Sequence, residues 1–244
     1  MDVNGTYVNY VQYGNKKGKN IILLHGWGQN IEMMDPLGRG LEDKYRITII
    51  DFPGFGDSPE PPYGYTVYDY CELLDQLLVN LKIKEPILIG HSFGGRIAMI
   101  YASRRLVSKL VLMASPFRRT NKKANYKLRI LKIVRKTPGL KRLEGYVKKK
   151  IASPDYAKAS PIMRKVLVNV INENLINIIP KIKASTILIW GDNDDQVPLS
   201  EAKYIEANIK DCGLIIYDHC GHFAYLERLE QTINILNEFL KDVK

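Results

Sequence analysis

Six short, uninterrupted apolar runs constrain the fold of this chain more than any other feature of its sequence. Each run is rich in Ile, Leu and Val, and together they occupy residues 20–26, 46–52, 86–92, 109–115, 185–192 and 213–219. A strand with one solvated face alternates apolar and polar residues, and these runs do not alternate. We therefore predict strands that are buried on both faces, as in a parallel sheet covered by helices.

Helix-like patterns separate several of these runs, as at residues 66–82 and 94–105. Strands that alternate with helices along the chain are typical of an α/β fold with a mostly parallel sheet flanked by helices. The N-terminal stretch 6–14, TYVNYVQYG, alternates apolar and polar residues instead. We expect it to form an antiparallel hairpin with the strand that follows, at the edge of the sheet.

The strand–helix alternation stops between residues 117 and 180, where no strand pattern is present. Apolar residues recur there at helical spacing, at Leu128, Leu131 and Val134. Ser160 and Pro161 have the pattern of an N-cap followed by a first-turn proline, which predicts another helix. We predict that residues 1–116 and 181–244 form an α/β core and that 117–180 is a helical insertion between two of its strands.

Charge is concentrated in one segment of the chain. Residues 117–183 contain 19 lysines and arginines against 3 acidic residues, whereas the rest of the chain contains 17 against 23. This segment is either a solvated helical face or a surface that attracts an acidic substrate, an acidic carrier protein or an anionic membrane. Nucleic acid is disfavoured, because residues 118–129 contain one aromatic residue, Tyr126, and match no known binding module.

Several classes of protein are disfavoured by what the sequence lacks. No run approaches the ~18 apolar residues of a membrane span, and the N-terminus has no secretion-signal pattern. The three cysteines are too scattered for a disulfide framework or a zinc site: Cys71, Cys212 and Cys220. We expect a cytoplasmic protein with free thiols and with no metal or other cofactor.

The stretch GHSFG, residues 90–94, places Ser92 where a predicted strand turns directly into a predicted helix. Such a corner strains its central residue, so the neighbours must be small, and Gly90 and Gly94 meet this requirement. The free N–H groups at the helix N-terminus would stabilise a developing negative charge. The pattern predicts Ser92 as a nucleophile, and the alternative is a serine that only caps the helix.

A serine nucleophile needs a base within hydrogen-bond reach, and the chain has four histidines. His222, on the loop after the last apolar run, is the preferred base, and His219, at the end of that run, is the alternative. We expect His25 to order its own loop. We expect His91 to pack nearby with its side chain pointing away from Ser92.

The base in turn needs a carboxylate that holds its tautomer. The stretch WGDNDDQVP, residues 190–198, offers Asp192, Asp194 and Asp195 directly after a predicted strand. Spacing does not choose among these three. The cluster could also form an ordinary turn or a weak calcium loop.

An acyl-transfer site also needs two N–H groups that converge on the developing oxyanion. The amide of Phe93, the residue after the nucleophile, is the first candidate. The amide of Trp27 in HGWG is the second, because Gly26 and Gly28 let the backbone approach closely. The Trp27 side chain could pack in the core, so only its amide is assigned to the site.

Taken in order, five motifs make the chain resemble the α/β-hydrolase superfamily along essentially its whole length: HGWG, DFPGFGDS, GHSFGG, WGDNDDQVP and GHFAYLE. The resemblance implies that Asp194, three residues after the glycine of its motif, completes a catalytic triad with Ser92 and His222. It implies that residues 117–180 form a basic helical cap over the pocket. A serine in place of aspartate at position 92 argues against dehalogenase and epoxide hydrolase chemistry.

The activity that this resemblance implies is hydrolysis of a small-molecule carboxylic ester through an acyl-enzyme. Thioester hydrolysis, or cleavage of a carbon–carbon bond beside a carbonyl, would use the same residues. A non-catalytic ligand-binding protein of the superfamily is the least favoured alternative, because such members usually lack part of the triad.

Overall fold

A seven-stranded sheet organises the residues that the computed structural model describes, which are 1–119 and 159–243. The strands of these residues are β1 Asp2–Val3, β2 Thr6–Tyr7, β3 Tyr10–Gly14, β4 Asn20–Leu24, β5 Arg46–Ile50, β6 Ile87–His91, β7 Lys109–Met113, β8 Thr186–Gly191 and β9 Cys212–Tyr217. The spatial order is β3-β5-β4-β6-β7-β8-β9, and β4 to β9 are parallel. Each predicted apolar run contains one of these six strands, so the predicted mostly parallel sheet is confirmed.

The α-helices of the described residues are α1 Ile31–Arg39, α2 Val67–Asn80, α3 Phe93–Arg104, α4 Pro161–Asn172, α5 Leu199–Asn208, α6 Ala224–Glu227 and α7 Leu229–Phe239. Strands β4 to β8 are buried on both faces, as the lack of alternation predicts. In β4, Ile22 and Leu24 belong to one buried apolar cluster, beside α2 and α3, whereas Ile21 and Leu23 belong to another, beside α1 and α7. The prediction is wrong for β9, where Ile216 is 41% exposed, because β9 is the edge strand and is paired on one side only.

The N-terminal stretch departs from the predicted hairpin. Strand β3 is the antiparallel edge strand, but it pairs with β5, with Tyr10 opposite Ile50, and not with β4, which follows it. The short strands β1 and β2 pair with each other in a separate ladder. The hairpin prediction is wrong because β4 is paired on both sides, by β5 and β6, so β3 adds to the outer side of β5 instead.

The ends of the predicted insertion lie within the described residues. Pro161 opens α4, and the Ser160 hydroxyl accepts a hydrogen bond from the Met163 N–H at 3.1 Å, as its N-cap pattern predicts. The Leu175 N–H donates to the Phe117 carbonyl at 2.7 Å, so the two ends of the insertion lie side by side. The predicted helical spacing at Leu128, Leu131 and Val134 falls outside the described residues. The division into core and cap remains a prediction.

Candidate active site

The sheet has a topological switch point at the carboxyl ends of β4 and β6. The chain passes from β4 to β5 on one side of it and then returns to β6 on the other side. Open α/β sheets bind ligands in the crevice that such a reversal creates. Two predicted segments begin there: residues 25–29, which we call the oxyanion loop, and the turn at Ser92, which follows β6.

Ser92 adopts the strained conformation that its position between β6 and α3 predicts. Its φ of 48° and ψ of −108° lie where non-glycine residues are rare, at a cost of about 1–3 kcal/mol. The Ser92 N–H donates to the Met113 carbonyl of β7 at 2.9 Å, and its carbonyl accepts from the Arg96 N–H at 3.3 Å. The turn is therefore tied to the sheet on one side and to α3 on the other.

The glycines of the motif allow this turn to pack. A Cβ on Gly90 would lie 2.6 Å from the Gly95 Cα, and a Cβ on Gly94 would overlap the Leu24 carbonyl. The Gly94 N–H donates to the His25 carbonyl at 3.0 Å. Close approach of backbones thus joins the first turn of α3 to the oxyanion loop.

The structure brings Asp194 and His222 together. His222 Nδ1 lies 2.8 Å from Asp194 Oδ2, and the other carboxylate oxygen accepts from the Gln196 and Val197 N–H groups, each at 2.8 Å. Both side chains are buried, with 6% of His222 and 0% of Asp194 exposed. Asp192 and Asp195 are exposed, so only Asp194 of the three candidates is held against the imidazole.

His222 belongs to the base segment, residues 218–223, which joins β9 to α6. The ring of His91, the residue before Ser92, lies 4.9 Å from the His222 ring between centroids. The base segment therefore lies at the same sheet edge as the serine. Within the described residues no hydrogen bond joins the Ser92 hydroxyl to His222. Catalytic hydrogen bonds often tighten only when substrate is bound.

The other histidines have different environments. His219 is exposed and takes a left-handed conformation, with φ of 59°. His25 is buried, with Nδ1 2.7 Å from the Gly26 carbonyl, and its Nε2 accepts from the Phe52 N–H at 3.0 Å. Burial lowers the pKa of His25 to about 4. Both ring nitrogens of His25 are hydrogen-bonded to backbone groups, one of them in its own loop and the other at Phe52. His25 therefore orders its loop, as predicted.

The two amides assigned to the oxyanion hole flank the switch point. The Gly26 N–H donates to Gln29 Oε1 at 3.0 Å, and Gly28 takes a φ of 72°, which turns the loop around Trp27. No hydrogen bond to a described residue uses the N–H of Trp27 or of Phe93. Both donors therefore have no competing acceptor in the described part of the chain.

Aromatic rings surround these amides. The Trp27 ring packs edge-on against Phe55 and Phe93, with centroids 4.9 and 5.7 Å apart. Phe55 and Phe93 are buried, and Trp27 is partly exposed. An aromatic cluster therefore includes the side chains of both residues whose amides are assigned to the oxyanion hole.

Asp51 is a residue to which the sequence analysis gave no role, although it named the motif DFPGFGDS that begins with it. It is buried, and one carboxylate oxygen accepts from the Ile31 N–H at the start of α1, at 2.7 Å. The other oxygen accepts from the Asn9 side chain at 2.8 Å and from the Asp57 N–H at 2.9 Å. A buried carboxylate thus holds the loop that carries Phe55 beside the oxyanion loop.

Arg96 is a second residue that the sequence reasoning missed. It lies on α3 and is 3% exposed. Its Nη1 donates to the Pro116 carbonyl at 3.0 Å, and its Nη2 donates to the Glu173 carbonyl at 2.7 Å. It therefore holds both ends of the insertion against the helix that follows Ser92. The sequence signal is an arginine among the apolar and small residues at 93–100, in the first part of α3.

In residues 1–119 and 159–243, no group of three or more His, Cys, Asp or Glu side chains is arranged to hold a metal ion. No helix in these ranges has the length and apolar character needed to cross a membrane. The three cysteines are free thiols.

The chain is similar to proteins of known family. A family model described as the alpha/beta hydrolase fold matches residues 19–131. Monoacylglycerol lipase abhd6-B of Xenopus laevis is 24% identical over 98% of this chain and 84% of its own length. A 2-hydroxy-6-oxononadienedioate/2-hydroxy-6-oxononatrienedioate hydrolase of Pseudomonas putida is 26% identical, over 91% of this chain and 88% of its own.

A solved structure extends this similarity to the whole fold. The crystal structure of a bacterial membrane phospholipase A superposes with a TM-score of 0.78 at 26% identity, covering 99% of this chain and 84% of that one. The matched family model and the structural similarity both indicate the same fold. The chain has the α/β-hydrolase fold.

Proposed function

We propose that this protein is a serine hydrolase that cleaves a carboxylic ester through an acyl-enzyme intermediate. The observation that carries the proposal is the buried Asp194–His222 pair, 2.8 Å apart, at the sheet edge where Ser92 occupies its strained turn. Ser92 would be the nucleophile, His222 the base, and Asp194 the group that orients the base.

In this reaction, Ser92 Oγ attacks the ester carbonyl while His222 Nε2 takes the hydroxyl proton. Asp194 accepts the Nδ1–H bond, which leaves Nε2 free as the base and stabilises the imidazolium. The amides of Trp27 and Phe93 bind the oxyanion, and each such donor contributes roughly 3 kcal/mol of barrier lowering. His222 then gives the proton to the departing alcohol, which leaves the acyl group on Ser92. In the second half of the reaction, His222 takes a proton from water, the water attacks the acyl-enzyme, and the acid is released as Ser92 regains its proton.

An ester with an apolar acyl or alcohol group fits the aromatic cluster best. The rings of Trp27, Phe55 and Phe93 pack together next to the two amides assigned to the oxyanion hole, and they supply apolar contact area there. The names of two similar proteins, a monoacylglycerol lipase and a phospholipase A, support an ester substrate of this kind.

A fluorophosphonate probe tests the proposal, because it bonds only to an activated serine. We expect the wild-type protein to take one label and Ser92→Ala to take none. Ser103→Ala, at the far end of α3, is the matched control and should label like the wild type. A wild-type protein without label, or equal labelling of Ser92→Ala, would reject the enzyme and favour a ligand-binding protein.

Carbon–carbon bond hydrolysis is the second candidate, supported by similarity to the dienedioate hydrolase. Thioester hydrolysis would use the same residues. A panel of p-nitrophenyl esters, acyl thioesters and a vinylogous 1,5-diketo acid, compared by kcat/KM, separates the three. The proposal predicts that the p-nitrophenyl esters have a higher kcat/KM than the thioesters and the diketo acid.

The basic segment 117–183 supports a further part of the proposal. It contains 19 cationic and 3 acidic residues, and this positive charge would attract an acidic carrier protein or an anionic membrane surface. The small-molecule acyl substrate would then be delivered from that partner.

A further inference from the structure

His91 precedes Ser92 and contacts both the oxyanion loop and the base segment. It is the last residue of β6, directly before Ser92, and it is fully buried. Its Nε2 lies 3.0 Å from the His222 carbonyl oxygen, and its Nδ1 lies 3.3 Å from Gln29 Oε1. One imidazole therefore touches both the base segment and the oxyanion loop.

The base segment has no regular secondary structure, so individual contacts hold it. The Cys220 carbonyl accepts from the Asn193 N–H at 3.0 Å, and the Gly221 N–H donates to Glu227 Oε1 at 2.9 Å. At the next residue the main-chain contact is the one from His91 to the His222 carbonyl. The position of His222 is thus fixed by Asp194 at ring atom Nδ1 and by His91 at the backbone carbonyl.

The chemistry of the partners assigns the proton of His91. A carbonyl oxygen can only accept, so a hydrogen bond to His222 requires hydrogen on Nε2. Gln29 Oε1 already accepts from the Gly26 N–H. Burial, with a smaller contribution from the charge of His222, lowers the pKa of His91 to about 3, so the ring carries one N–H near neutral pH. That N–H belongs on Nε2.

We propose that His91 is a positioning residue: its Nε2–H, donated to the His222 carbonyl, holds the base segment where the His222 imidazole can reach Ser92. This inference rests on the proposed function, because it takes His222 as the base. The rings of Phe223 and Tyr225, 5.3 and 5.0 Å from the His91 ring between centroids, keep the imidazole in the plane that the bond requires.

The tautomer of His91 is a direct test that needs no active enzyme. The chain contains only four histidines, so ¹⁵N-histidine labelling gives a spectrum with few signals, and loss of one signal in His91→Gln assigns it. We expect the Nε2–H tautomer, with slow exchange of its proton. An Nδ1–H tautomer would overturn the proposal, because a bare Nε2 cannot donate to a carbonyl.

Kinetics test the consequence for the base. His91→Leu should lower kcat and the fluorophosphonate labelling rate about 10- to 100-fold, as small displacements of a catalytic group do, while KM stays within about twofold. His91→Gln, whose amide can donate from nearly the same point, should recover most of kcat. His219→Asn, which alters an exposed histidine of the same segment, is the control and should match the wild type.

The outcomes separate this inference from the proposed function. Folded His91→Leu with unchanged kcat, or with a loss that falls on KM alone, refutes the positioning role. A wild-type protein that takes no label refutes the proposed function. In that case, weakening of the His222 Nδ1–H signal in folded His91→Leu still supports the positioning of the base segment, and an unchanged signal still refutes it.

Discussion

The backbone at Ser92 is strained, and the bonds around it hold that strain in place. The Ser92 N–H donates to the Met113 carbonyl, and the Ser92 carbonyl accepts from the Arg96 N–H. The backbone also packs closely around the turn at Gly90 and Gly94. The hydroxyl is thereby presented at the sheet edge, and the amide of Phe93 is left without an acceptor among the described residues. The proposed activity of the site should therefore depend on which atoms donate and accept hydrogen bonds, even where the shape of a side chain is kept.

Asp194→Asn tests that dependence. The amide oxygen could still accept from Gln196 and Val197, but the amide nitrogen would donate to His222 Nδ1 and force the proton onto Nε2. The ring could then not take the serine proton, and we expect kcat to fall about 10³- to 10⁴-fold with the fold intact. Steady-state kinetics and circular dichroism measure both effects. Asp192→Asn and Asp195→Asn are the controls, and a comparable loss in either would place the acid elsewhere.

Two buried histidines predict how stability changes with pH. The pKa of His25 is lowered to about 4 and that of His91 to about 3, from an unfolded value of 6.5. The unfolded chain therefore binds more protons below pH 6.5, and the free energy of unfolding falls as pH drops through that value. By pH 5 each histidine should contribute a loss of about 2 kcal/mol.

Urea unfolding at pH 7, 6 and 5 measures this loss. His25→Gln should reduce the pH dependence even where it lowers stability overall, since it removes one titrating group. His219→Asn removes an exposed histidine and should leave the dependence unchanged. Equal pH slopes in all three proteins would show that His25 is not held neutral in the fold.

Among the helices, α3 connects the turn at Ser92 to the insertion. It packs on the oxyanion loop through Gly94, and two residues later Arg96 binds the carbonyls of Pro116 and Glu173. Arg118 pairs with the buried Glu201 of α5 at 3.0 Å, next to the same junction. The base of the insertion is therefore fixed to the helix that follows Ser92.

Arg96→Met tests this connection. It leaves two carbonyls without their donor, and we expect a loss of about 2 kcal/mol in the free energy of unfolding. Limited proteolysis should cut faster between residues 116 and 173, while fluorophosphonate labelling at low temperature continues. Arg104→Met, an exposed arginine on the same helix, is the control. Unchanged proteolysis in Arg96→Met would show that the junction is held by other contacts.

At the scale of the whole molecule, charge is divided between two parts of the chain. Residues 117–183 carry 19 cationic and 3 acidic residues, and the rest carries 17 and 23. A surface of one sign raises the local concentration of oppositely charged partners and loses this effect as salt increases.

Charge reversal tests whether this asymmetry serves the substrate. Replacing Arg129, Lys132, Arg135 and Lys136 together by Glu should lower kcat/KM for an acidic ester about tenfold at low salt. The effect on a neutral ester of the same acyl length should be within about twofold, because steering acts on charge. Equal effects on both esters, or no dependence on salt, would assign these charges to a solvated surface.

The parallel strands, helices α2 and α3, and the segments that meet at the candidate site could be predicted from the residues alone. These features are local, because an unbroken apolar run indicates a buried strand and a glycine pair indicates a tight turn. The pairing of β3 with β5, and the bonds of His91 and Arg96 to distant carbonyls, could be seen only in the folded chain. Spacing left three aspartates open and the resemblance implied Asp194, and the fold places that carboxylate against His222. Such contacts join segments far apart in the chain, so they depend on the order of the strands and the paths of the loops, which no local pattern of residues records.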